Sequence, residues 1–97
     1  MKLEEFLTIL KENEEVLKQK FKVKSIGIFG SVTRREQKET GDIDIIVKFS
    51  EPIGWEIVDL KEFLEELFGV RVNVVTKSVA MRKPLLWRTI KEEIVYV

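Results

Sequence analysis

Two β-type runs stand about a dozen residues apart: KVKSIGIFG ends at Gly30 and DIDIIVKF begins at Asp42. That spacing does most to limit how the chain can fold. Parallel neighbours need a crossover of a dozen or more residues, usually containing a helix, so this gap is at the lower limit. The pair is therefore expected to run antiparallel. The end of the first run then lies beside the start of the second, and Gly30-Ser31 meets Asp42-Ile43-Asp44 at one end of a sheet.

The rest of the chain supplies helices to cover that sheet. Leu3, Phe6, Leu7, Leu10, Leu17 and Phe21 fall near helical spacing, with Lys and Glu between them, which predicts an amphipathic helix over residues 2–20. SVTRREQK reads as one or two helical turns with Ser31 as N-cap. WEIVDLKEFLEELF places Ile57, Leu60, Leu64 and Leu67 on one helical face, and Gly69 is a natural stop. VRVNVV is a third strand and TKS a turn. Pro84 opens a last helix, and the tail IVYV is either a short edge strand or core packing. The order α-β-(α)-β-α-β-α gives an α/β architecture: a mixed β-sheet of three or four strands packed against α-helices, expected as one domain over residues 1–97.

Alternation along DIDIIVKF puts Ile43, Ile45, Val47 and Phe49 on one face and Asp42 and Asp44 on the other. Aspartate is a poor strand residue. Two neighbouring carboxylates resist joint ionisation unless a cation sits between them. Magnesium binds through one or two carboxylates plus substrate phosphates. Gly30 lets backbone approach a ligand closely, the turn after it can hold phosphate, Ser31 adds a hydroxyl, and the Arg34 guanidinium can reach the same phosphates. The chain contains no cysteine and no histidine, so a metal site must use oxygen ligands: Mg2+, Mn2+ or Ca2+. Lysine plus arginine and aspartate plus glutamate both number 17, so the basic footprint of a nucleic-acid binder is missing and a nucleic-acid partner is not expected. No run spans a membrane and the N-terminus lacks a signal-peptide pattern, which together with the missing cysteines predicts a cytoplasmic protein.

Gly-Ser, an intervening arginine, then Asp-x-Asp opening an apolar strand resembles the nucleotidyltransferase superfamily that includes DNA polymerase beta. The short length, the IVKF after the aspartates and the VRVNVVT strand resemble its minimal nucleotidyltransferases (MNT) more specifically. The resemblance implies the nucleotidyltransferase fold and metal-dependent transfer of a nucleoside monophosphate, AMP from ATP, to a hydroxyl. It implies that Gly30 and Ser31 hold the triphosphate and that Asp42 and Asp44 bind Mg2+ or Mn2+. It also implies a role as antitoxin to a helical HEPN-type toxin, silenced by AMP on a tyrosine.

Two departures from the family pattern stand out. Gly-Ser-x-Ala-Arg-Gly is replaced by Gly30-Ser31-Val32-Thr33-Arg34-Arg35. Asn73 stands where active members carry a third carboxylate, which holds metal and can accept a proton. An amide can ligate weakly but cannot act as base. The alternative expectation is therefore a catalytically impaired relative that masks its partner by binding. Glu51, Glu56 and Asp59 give no reason to face the site. Trp55 and Trp87 read as core or rim packing. Leu85, Leu86, Val95 and Tyr96 read as core, with a homo-oligomer or toxin interface as the other reading.

Overall fold

The computed structural model describes residues 1–34, 36 and 41–97. The expected first helix is broken in two, α1 (Leu3–Glu12) and α2 (Glu14–Gln19). Asn13 causes the break. Its side-chain Nδ2 donates to the Ile9 carbonyl at 2.8 Å, and its backbone N–H donates to the same oxygen at 3.2 Å. Short amides compete in this way with the helical ladder.

Strands β1 (Val23–Phe29) and β2 (Ile43–Phe49) are antiparallel, with Phe29 opposite Asp44, as the short connection requires. Helix α3 (Glu56–Phe68) then crosses over to β3 (Val72–Thr76), which lies parallel to β2 with Asn73 opposite Asp44. Gly69 ends α3 at φ +70°, a left-handed conformation that costs glycine little. The TKS segment is not a simple turn. Thr76 Oγ1 accepts from Val79 N at 3.3 Å and starts α4 (Lys77–Met81). Helix α5 (Pro84–Glu93) begins at Pro84, and the tail forms β4 (Val95–Tyr96) beside Gly27 and Ile28 of β1. The sheet order is β3-β2-β1-β4.

The sheet has helices on both faces. Ile26, Ile28, Ile43, Ile45, Val47 and Val72 pack against Phe6, Leu10, Leu17, Leu60, Leu64 and Phe68 of α1, α2 and α3. Phe6 and Phe68 meet edge to face at 5.0 Å. On the opposite face, which carries Asp44, Ile46 is buried with Ala80 of α4 and Ile90 of α5, and Phe29, Val75, Trp87 and Ile94 pack around them. Gly27 makes this second layer possible. A Cβ there would lie 2.7 Å from Ile94 Cγ2 and 3.1 Å from the Val95 carbonyl oxygen.

Three expectations are corrected. Ser31 is not a helix N-cap: Gly30–Val32 form a 3-10 turn without a side-chain cap, because the chain turns one residue earlier, at Gly30 with φ +82°. Of the other residues in the expected helical turns, Arg35, Gln37 and Lys38 lie outside the described residues. Leu85 and Leu86 are 78% and 45% exposed rather than core, because α5 meets the sheet along Trp87 and Ile90; Tyr96 of β4 is 46% exposed, whereas Val95 packs against the main core as expected. Trp55 is 84% exposed at the start of α3 and packs against neither core, whereas Trp87 packs as expected.

Candidate functional site

Asp42 and Asp44 flank Ile43, the first residue of β2, and the neighbouring strand decides what they face. The parallel register places Asn73 directly across from Asp44. Asn73 Nδ2 donates to Asp42 Oδ2 at 3.3 Å and to Asp44 Oδ1 at 3.2 Å. One neutral amide therefore bridges two carboxylates. It satisfies their lone pairs without neutralising their charge, which is the electrostatic setting a cation would relieve.

The Gly30-Ser31 turn abuts this pair. A Cβ on Gly30 would strike Asp44 Oδ2, so glycine is required here by contact as well as by its φ of +82°. Ser31 is half-buried, and its hydroxyl makes no hydrogen bond among the described residues. Thr33 Oγ1 donates to the Gly30 carbonyl at 2.8 Å and tightens the turn.

Arg34 borders the same loop, yet its guanidinium is already engaged. Nε donates to Glu36 Oε2 at 3.1 Å and Nη1 to Glu93 Oε1 at 2.6 Å. Hydrogen bonds to Glu36 first and Glu93 second raise its pKa above the ordinary guanidinium value. The other Glu93 oxygen, Oε2, accepts from Gly30 N at 3.2 Å. Glu93 escaped the sequence reading. It lies 63 residues from Gly30, and the signal that leads to it is weak: a carboxylate just before a β-branched tail.

The other nearby acids stay away, as expected. Glu56 Oε2 accepts from Gly54 N at 2.7 Å, and backbone hydrogen bonds, its own first, hold its carboxyl below the ordinary value. Glu56 and Asp59 line a separate depression with Lys20 and Phe63. A broad depression of about 730 Å³, lined by Val47, Phe49, Ile53, Lys77 and Met81, lies at the far ends of β2 and β3 from the aspartates. Among the described residues no three His, Cys, Asp or Glu side chains gather to hold a metal. The donors available are Asp42, Asp44 and, after rotation of its amide, the Asn73 oxygen. That oxygen set fits Mg2+ completed by water and phosphate.

The Nucleotidyltransferase domain family matches residues 10–97, which takes in the Gly-Ser turn, the aspartates, Asn73 and Glu93. The chain belongs to this family. Within it, the chain is a minimal nucleotidyltransferase. The protein adenylyltransferase MntA of Thermococcus cleftensis is 43% identical over 96 residues, 98% of this chain and 95% of that one. MJ1217 of Methanocaldococcus jannaschii, named provisionally as a protein adenylyltransferase, is 42% identical over 96 residues, 98% and 97% of the two chains. A solved structure described provisionally as a minimal nucleotidyltransferase superposes with a TM-score of 0.74 at 33% identity, covering 98% of this chain and 95% of that one. A toxin-antitoxin crystal structure with AMP-PNP shares the fold at a TM-score of 0.64 and 20% identity, covering 96% and 69%.

Proposed function

We propose that this minimal nucleotidyltransferase moves AMP from ATP to a hydroxyl of a partner protein, as the antitoxin of a pair whose toxin is a helical HEPN-type protein. The observation that carries this reading is the convergence of Asp42 and Asp44 on Asn73 beside the Gly30-Ser31 turn. The AMP-PNP in a toxin-antitoxin structure of the same fold supports the choice of nucleotide and partner class. The adenylyltransferase names of full-length relatives support the reaction.

In this reading Gly30 and Ser31 hold the triphosphate, the first by leaving room for it and the second by donating its hydroxyl. Arg34 borders the phosphates. Asp42 and Asp44 hold Mg2+, or Mn2+, with Asn73 as a weak third ligand. The metal, when bound, neutralises the carboxylates and polarises the triphosphate. The acceptor oxygen bonds to the α-phosphorus while the α–β phosphoanhydride breaks and pyrophosphate leaves. Asn73 cannot take the acceptor's proton, which passes to a carboxylate or to water. The 97 residues act as one domain, and the protein works in the cytoplasm. Among the described residues no helix is long and apolar enough to cross a membrane.

Incubation of the chain with its partner, Mg2+ and ATP labelled on the α-phosphate is expected to label the partner. Asp42→Asn and Asp44→Asn are each expected to abolish the label. A second reading follows from Asn73 itself. Its amide sits where a base would act, which favours an impaired transferase that masks the toxin by contact. A stable complex unaffected by both substitutions, with no label transferred, would select that reading.

A further inference from the structure

We infer that Glu93, at the end of α5, is the positioning residue of the nucleotide-binding loop. The inference rests on the nucleotide reading above and assigns the loop a support that its own sequence does not contain. The two oxygens of the carboxylate bind different groups. Oε2 fixes the Gly30 amide at 3.2 Å, and Oε1 fixes Arg34 at 2.6 Å. The two contacts bracket the 3-10 turn that carries Ser31. The Glu93 side chain is only 18% exposed, against 45% for Arg34, so the pair is partly withdrawn from solvent on one side. Charge-assisted hydrogen bonds gain directional strength in that setting.

The backbone behind Glu93 is held on both sides. Ile90, one turn earlier, is buried against Ile46 and Ala80. Immediately after Glu93, Ile94 seats on the bare face of Gly27, and Val95–Tyr96 pair with β1. A carboxylate set between two such anchors has little freedom to leave. Arg34 shares its charge between Glu36 and Glu93, so it acts chiefly as a tether inside the loop. Because Gly30 is in contact with Asp44, fixing Gly30 also fixes the distance between the phosphate turn and the carboxylate pair. Glu93 does not itself join Asp42 and Asp44 in a metal-binding cluster. It acts through Gly30 and Arg34.

The geometry also admits the opposite role: an internal carboxylate occupying the seat of a phosphate, displaced when ATP arrives. The two roles differ in sign. MgATP binding to the full chain, measured by titration calorimetry well below the unfolding temperature of each variant, separates them. E93A and R34A are each expected to weaken MgATP binding by about tenfold, the scale of lost support around a site. The double variant R34A/E93A is expected to be no weaker than E93A, since E93A already removes the contact that R34A breaks and the Gly30 contact besides. E93Q is expected to recover part of the loss, because its amide oxygen still accepts from Gly30 N. Additive losses, or E93A binding as tightly as or more tightly than the unmodified chain, would overturn the positioning role alone. An unmodified chain that binds no MgATP would overturn the nucleotide reading and this inference with it.

Discussion

Asn73 concentrates the question of what the site can do. Its amide donates to both aspartates, so it holds the acidic pair together while offering no charge and no base. Asn73→Asp exchanges those donors for a third carboxylate facing two others. Without metal, the lost hydrogen bonds and the new repulsion, at a solvent-exposed position, are expected to cost about 0.5–1.5 kcal/mol of stability. With Mg2+ the sign reverses, because the cation binds the folded cluster and stabilises it by mass action. Thermal unfolding of both proteins with and without Mg2+ checks this: the variant should melt lower than the parent in chelator and gain more from added metal. A variant whose melting ignores Mg2+ would mean that residue 73 does not face a cation site.

At the scale of elements, each strand and helix was readable wherever a period repeated. β2 declared itself through a β-branched run whose first residues alternate, and its Asp-x-Asp face followed from parity alone. α3 declared itself through Leu60, Leu64 and the glycine stop at 69. Three features were illegible for definite reasons. The break at Asn13 depends on a side-chain bond within an otherwise continuous apolar stripe. TKS resembles a turn until Thr76 is seen to cap α4. The tail does form the short edge strand that was one of its two readings, but β4 is two residues long, too short for a period to name its partner, so its pairing with β1 and the position of Glu93 beside Gly30 were invisible. Gly27 is the hinge of that hidden arrangement. Gly27→Ala forces a methyl into Ile94, Tyr96 and the Val95 carbonyl, and overpacking of this kind is expected to cost about 1–3 kcal/mol. Urea unfolding measures it, and a cost near zero would mean that the tail does not seat on β1 as described.

The whole molecule is a sheet with unequal layers. The α1–α3 side buries a large apolar cluster, including Phe6, Leu10, Leu60, Leu64 and Phe68, whereas the α4–α5 side rests on Ile46, Ala80 and Ile90. Local opening follows the sparser packing, so α4 and α5 are expected to open at lower free energy than β1, β2 and α3. That places the support of the phosphate loop on the weaker layer, whereas β2, the strand that carries the aspartates, is backed by the stronger one. The site is thus assembled across a boundary between cooperative units, and a ligand spanning Ser31 and Asp44 should couple them. Native-state hydrogen exchange tests the asymmetry. Amides of α5 are expected to exchange through a subglobal opening in the free protein. MgATP is expected to slow them although it touches no residue of that helix, because loop, Arg34 and Glu93 are then held together. Ile46→Ala removes the central side chain of the small cluster, and truncations of this kind cost about 2–5 kcal/mol. It should speed exchange in α4 and α5 well before it affects α1 or α3. Uniform acceleration across both layers would show instead that the two sides of the sheet open as one.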